Sequence, residues 1–193
     1  MYISERMSFR YRNWVFRDCS VRIETRQIGL VGKNGCGKTT FLKLLDQQLS
    51  PQEGSIRVQG LTYMLDFDLT SYKSFWSTDI IALCSRLKSF DTRQADMIAE
   101  RLNMVEYLTT PIGELSKGTA KKVTLLMGFM STADVLLVDE PFESLDEESS
   151  TAVAEMFSRR DGAHIIVSHD TRLLSQCVGS LWTIKDKQLQ EVK

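Results

Sequence analysis

Apolar residues fall into two regimes along the 193-residue chain. Short continuous runs occupy residues 27–31 (Gln-Ile-Gly-Leu-Val), 135–138 (Val-Leu-Leu-Val) and 164–167 (His-Ile-Ile-Val). Their length and β-branched content predict strands buried on both faces, as in a parallel sheet. Alternating segments at 21–23 and 55–58 predict half-buried strands, and 61–65 one more short strand. Residues 2–16 mix aromatics with arginines in the style of edge strands and turns. Helical spacing runs through 41–45, 79–87, 92–102 and 146–157, with Thr92 placed as a helix N-cap. Ser116 opens a further helix to about residue 130. A short helix and two strands, 181–184 and 189–192, close the chain.

Strands alternating with helices predict an α/β fold. The expected architecture is a core with a mostly parallel sheet, an antiparallel edge sheet near the N-terminus and an inserted helical subdomain. One domain spans residues 1–193. Residues 1–66 and 131–193 supply its core, and 67–130 supply the helical subdomain with the helix that Ser116 opens.

Composition narrows the function. With 42% hydrophobic and 25% charged residues, the chain reads as globular. A net charge of −1 gives no general attraction to nucleic acid, and no nucleic-acid partner is expected. The cysteines, Cys19, Cys36, Cys84 and Cys177, are scattered without zinc or redox-pair spacing, which fits a reducing cytosol. The N-terminal residues lack a signal-peptide apolar region, and no apolar run approaches the length of a membrane span. A membrane role would therefore act through a partner.

The chemistry concentrates in residues 32–40, Gly-Lys-Asn-Gly-Cys-Gly-Lys-Thr-Thr, which fit G-x-x-x-x-G-K-[ST] between a strand and a helix. Gly32, Gly35 and Gly37 let the backbone turn with positive φ and approach a ligand closely. The N–H groups of the loop from Asn34 through Cys36 to Lys38, Thr39 and Thr40 then converge on phosphate oxygens at a helix N-terminus. Lys38 is expected to reach the β- and γ-phosphates, and the Thr39 hydroxyl to bind Mg²⁺. A second constellation ends the 135–138 strand. Asp139 would hold Mg²⁺, directly or through water, and Glu140 would orient or deprotonate an attacking water. His169, just past the 164–167 strand, would reach the same sheet edge, facing the γ-phosphate or the water.

Five motifs in order carry a resemblance: Gly32–Thr40, Leu115-Ser116-Lys117-Gly118-Thr119, Asp139-Glu140-Pro141, Ser144-Leu145-Asp146 and His169. Together they resemble the nucleotide-binding subunit of an ATP-binding cassette (ABC) transporter, in the stand-alone export style. The resemblance implies two subunits, identical or different, sandwiching two ATP with Mg²⁺. Each site would join one P-loop to the partner's 115–119 segment, with Ser116 and Gly118 facing the phosphate. Glu140 would be the base, and His169 the switch that stabilises the transition state. Ser144-Leu145-Asp146 would link the two sites, and Tyr11 would stack on adenine. It further implies hydrolysis that drives transport, export by expectation, through a separate transmembrane permease subunit. The chain would then sit peripherally on the cytoplasmic face of the membrane. A soluble ABC ATPase in cofactor assembly or regulation is the alternative.

Three departures qualify the resemblance. Lys117 and Thr119 replace the usual Gly and Gln of the signature. The stretch Tyr63-Met64-Leu65-Asp66 ends in an acid where Gln is usual, and Asp66 or Asp68 would bind Mg²⁺ or water from there with a shorter reach. Cys36 lies inside the P-loop, filling a serine-like slot or acting as a redox-sensitive thiol.

Overall fold

The structure, a computed structural model, describes residues 2–66, 68–87 and 89–192. Its strands are β1 (Tyr2–Arg10), β2 (Trp14–Ile23), β3 (Gln27–Val31), β4 (Glu53–Val58), β5 (Thr62–Met64), β6 (Val135–Asp139), β7 (Ala163–Val167), β8 (Ser180–Lys185) and β9 (Gln188–Glu191). Its helices are α1 (Lys38–Leu45), α2 (Ser77–Cys84), α3 (Ala95–Arg101), α4 (Lys117–Met130), α5 (Glu147–Ser158) and α6 (Thr171–Cys177).

Two sheets form. β2, β1 and β4 make an antiparallel sheet in that order. The second sheet runs β5–β6–β7–β3–β8–β9, parallel except for β9, which pairs antiparallel with β8. In register, Leu30 pairs with Val167, and Val167 with Asp139. The carboxyl ends of β3, β7 and β6 therefore lie side by side, and their following loops share one edge, where open α/β sheets bind ligands.

The continuous apolar runs are explained by a core on each face of this sheet. In β6, Val135 and Leu137 pack with Phe16, Ile28 and Phe41 towards the antiparallel sheet and α1. Leu136 and Val138 pack with Leu126, Val153 and Phe157 on the helical side. β7 divides likewise, Ile165 and Val167 against Ile166. His164, fully buried on β7, donates from Nε2 to the Cys177 carbonyl at 2.6 Å, while its Nδ1 has no hydrogen-bond partner. Burial pulls its pKa down to about 4.

Several boundaries differ from the sequence reading. The 2–16 region and the 21–23 segment belong to two long strands. Arg6 and Asp18 adopt left-handed backbone, with φ 48° and 46°, where the β1–β2 register shifts. Those bulges break the alternation and hide the strands from a period-two reading. The helix expected over 92–102 begins as a tight turn at Thr92–Gln94. Asp91, not Thr92, caps it, accepting the Arg93 N–H at 3.1 Å. The Asp91 carboxylate also takes the Arg93 guanidinium at 2.5 Å, which holds its pKa down to about 2. Among the described residues, no helix is long and apolar enough to cross a membrane.

Candidate functional site

The loop after β3 turns through Gly32 (φ 142°), Gly35 (φ 77°) and Gly37 (φ 114°) into α1. A Cβ on Gly37 would lie 2.4 Å from Val15 Cγ1, so this glycine is required both by its backbone and by its neighbour. At Gly35 such a Cβ would meet nothing within 4 Å. No side chain caps α1, so its first N–H groups are left for an anion.

Lys38 is buried, and its ammonium donates to the carbonyls of Gly32 at 2.7 Å and Lys33 at 3.1 Å. It curls over the loop whose N–H groups it would assist. The Thr39 hydroxyl donates to Asp139 Oδ2, bringing two hard oxygen ligands together at the start of α1 and the end of β6. This donor set fits Mg²⁺, which takes one or two protein oxygens and completes its shell with phosphate and water.

Glu140 follows with left-handed backbone, φ 52°. Its N–H still pairs with Val167 O at 2.8 Å. Its Oε2 accepts the His169 N–H at 3.2 Å, and the His169 Nε2 lies 3.4 Å from Oε1. That second approach has ion-pair distance without hydrogen-bond alignment, and Oε1 keeps no hydrogen-bond partner. A water molecule, donating a hydrogen bond, would complete it.

These groups line one cleft of about 1160 Å³, with Tyr11, Asn34, Gly35, Gly37, Lys38, Thr39, Thr40, Asp139, Glu140 and His169 on its walls. Tyr11 stands at 60% exposure on the turn after β1, edge-on to Phe9 with ring centroids 5.0 Å apart. Gly32 and Cys36 do not line the cleft; Cys36 Sγ would lie 3.1 Å from a Cβ on Gly32. Asp66 is also outside it. Its Oδ1 accepts the Asp68 N–H at 2.9 Å, and its carbonyl accepts the Thr124 hydroxyl at 3.3 Å. The short acid closes its own turn, apart from the Thr39 and Asp139 oxygens that line the cleft.

Ser116 and Gly118 also stand away from this chain's cleft. Ser116 caps α4 by accepting the Thr119 N–H at 3.1 Å. A Cβ on Gly118 would lie 2.4 Å from the carbonyl oxygen of Ser144.

Sequence reasoning passed over Lys121 and Lys122. Both are buried. Lys121 Nζ donates to the Glu140 carbonyl at 2.5 Å, and Lys122 Nζ to Asp146 Oδ2 at 3.4 Å. Burial pulls the Lys121 pKa below the ordinary lysine value. Hydrogen bonds from the Ser149 backbone and hydroxyl, with Lys122 nearby, hold Asp146 down to about 2. The signal was available: Lys121 lies one turn before the buried Leu125, on the inward face of α4. Phe142, Glu143 and Arg172 also line the cleft unforeseen.

The family described as ABC transporter matches residues 16–143. The chain belongs to the ABC transporter family. It is 30% identical over 183 residues to the ribosome protection protein VmlR of Bacillus subtilis, covering 93% of this chain and 30% of that protein. Over 190 residues it is 30% identical to ATP-binding cassette sub-family F member 2 of Mus musculus, covering 93% of this chain and 28% of that protein. The ABC transporter ATP-binding protein YtrB of Bacillus subtilis is 27% identical over 198 residues, covering 93% of this chain and 67% of YtrB. This chain thus spans less than a third of VmlR and of the mouse protein. Its fold matches an ATP-binding cassette solved as a dimer in a post-hydrolysis state bound to ADP and Pi, with a TM-score of 0.85 at 15% identity, over 100% of this chain and 98% of that one. The ABC cassette fold and the α/β architecture read from the sequence agree.

Proposed function

We propose that this cassette hydrolyses ATP as one half of a cassette pair and drives a separate membrane-embedded partner from the cytoplasmic face, with export the direction its lysine-containing signature resembles. The observation that carries the hydrolytic reading is the pairing of Thr39 with Asp139 next to the pairing of Glu140 with His169. Lys38 would exchange the Gly32 and Lys33 carbonyls for phosphate oxygens, and the loop and α1 N–H groups would hold the rest of the polyphosphate. Mg²⁺ held by Thr39 and Asp139 would neutralise charge on the phosphates. Glu140 would take the proton of the attacking water, and His169 would steady that carboxylate and the transferring phosphoryl group. Ser116 and Gly118, absent from their own cleft, are the groups this reading assigns to the second cassette's nucleotide.

The membrane partner is supported by the helical segment between β5 and β6, which exposes Tyr72, Phe75, Trp76, Leu83 and Leu87. Such exposed apolar side chains on one short segment are available to a partner chain. The second reading, an ATPase without a membrane partner, is favoured by the identity to VmlR.

The test is purification of the tagged protein from its own cells in mild detergent, beside Lys38→Ala. A polytopic membrane chain in stoichiometric amount is expected with the unaltered protein. Recovery with ribosomes, or with soluble chains alone, would transfer the assignment to the second reading. Tight ATP binding by Lys38→Ala would refute the phosphate-binding role given to Lys38.

A further inference from the structure

The first turns of α4 hold the loop that follows β6. Lys117 Nζ lies 3.2 Å from Glu143 Oε1, but both side chains are largely exposed and the pair contributes little. Lys121 differs: the residue is 5% exposed, and its ammonium meets a backbone carbonyl. An ammonium is costly to bury. What the ammonium achieves is local. Glu140 leaves the strand in left-handed backbone, so its carbonyl no longer points along the sheet ladder. Its N–H is fixed to Val167 from one side, and its carbonyl is fixed by Lys121 from the other.

We propose that Lys121 is a positioning residue: by clamping the Glu140 carbonyl to α4, it makes the direction of the Glu140 side chain follow the signature helix. The proposal rests on Glu140 being the base, as in the reading above. Ser116 opens the same helix and Lys121 lies little more than one turn further on. A nucleotide seated at that helix end would then be felt at Glu140 within the same chain, through one rigid turn of backbone and one hydrogen bond.

The experiment compares Lys121→Met, which keeps the length but loses the donors, and Lys121→Arg, which keeps donors and charge. Turnover is expressed per ATP-binding site, titrated on each preparation, so that unfolded protein does not count. For Lys121→Met we expect kcat to fall about 10- to 100-fold while the ATP Kd stays within about two-fold, because only the aim of the base is lost. Lys121→Arg should recover most of the turnover. Unchanged kcat in Lys121→Met, or kcat and ATP affinity lost in parallel, would overturn the clamp; so would an arginine variant no better than methionine. Where Lys121→Met gives no folded protein, Lys121→Gln, a neutral donor on a shorter arm, is read by the same two numbers. Glu140→Gln is made alongside. Turnover surviving in that variant would overturn the base assignment, whereas turnover lost there and kept in Lys121→Met would overturn the clamp alone.

Discussion

The hydroxyl of Thr39 donates to Oδ2 of Asp139, joining positions 100 residues apart in sequence. One oxygen opens α1 and the other ends β6, so the pair forms only when β3 and β6 are held in register by β7 between them. Asp139→Asn keeps the shape and the hydrogen bond but removes the charge that a divalent cation needs. ATP should still bind without Mg²⁺, while Mg²⁺-dependent turnover falls on the order of 100-fold. Steady-state hydrolysis across a Mg²⁺ titration checks this, and a wild-type curve would sink the metal assignment.

Glu140→Gln retains an oxygen to accept the His169 N–H but cannot take a proton from water. We expect turnover to be abolished and ATP to hold the cassette as a dimer. Light scattering on a sizing column, with and without ATP, reads the second effect. A monomer at saturating ATP would count against the paired arrangement.

Gly37→Ala places a methyl against Val15 Cγ1 and forces a non-glycine residue to φ 114°. Left-handed strain alone costs about 1–3 kcal/mol, before any displacement of the antiparallel sheet. Melting temperature and ATP affinity should fall together, since one residue shapes the loop and seats that sheet. Calorimetry showing an unshifted melt would contradict the contact.

His164 predicts a pH dependence of stability. Its folded pKa lies near 4, against about 6.5 in an unfolded chain. Between these values the unfolded chain binds the proton more readily. This contribution is therefore fully present above about pH 6.5 and is lost as pH falls towards 4, by at most about 3 kcal/mol. Nδ1, buried and without an acceptor, is where the proton would be stranded. Denaturant melts of wild type and His164→Gln between pH 7 and 4 should diverge in slope, the wild type losing more; parallel curves would refute the assignment.

How much could be read from sequence depends on how local the cause was. β6 was legible because both its faces are buried, so every residue is apolar up to Asp139. The phosphate loop was legible because glycine spacing is a backbone requirement written in consecutive residues. β2 was obscured by bulges, whose left-handed residues Arg6 and Asp18 carry no glycine to announce them. A motif position says nothing of which way a short acid turns, and Asp66 accepts the Asp68 N–H outside the cleft. Helical spacing marked Lys121 as facing inward, but not what it would meet there, because the Glu140 carbonyl is a group that every residue has.

The contact between Gly118 and the Ser144 carbonyl has a consequence for how such signatures are interpreted across lineages. The glycine is demanded by packing inside one chain, and Ser116 by the capping of its own helix. A descendant that had given up hydrolysis would remain under selection for both. Their retention therefore reports an intact architecture, and drift at Asp139, Glu140 and His169 is where a silenced enzyme would first become visible.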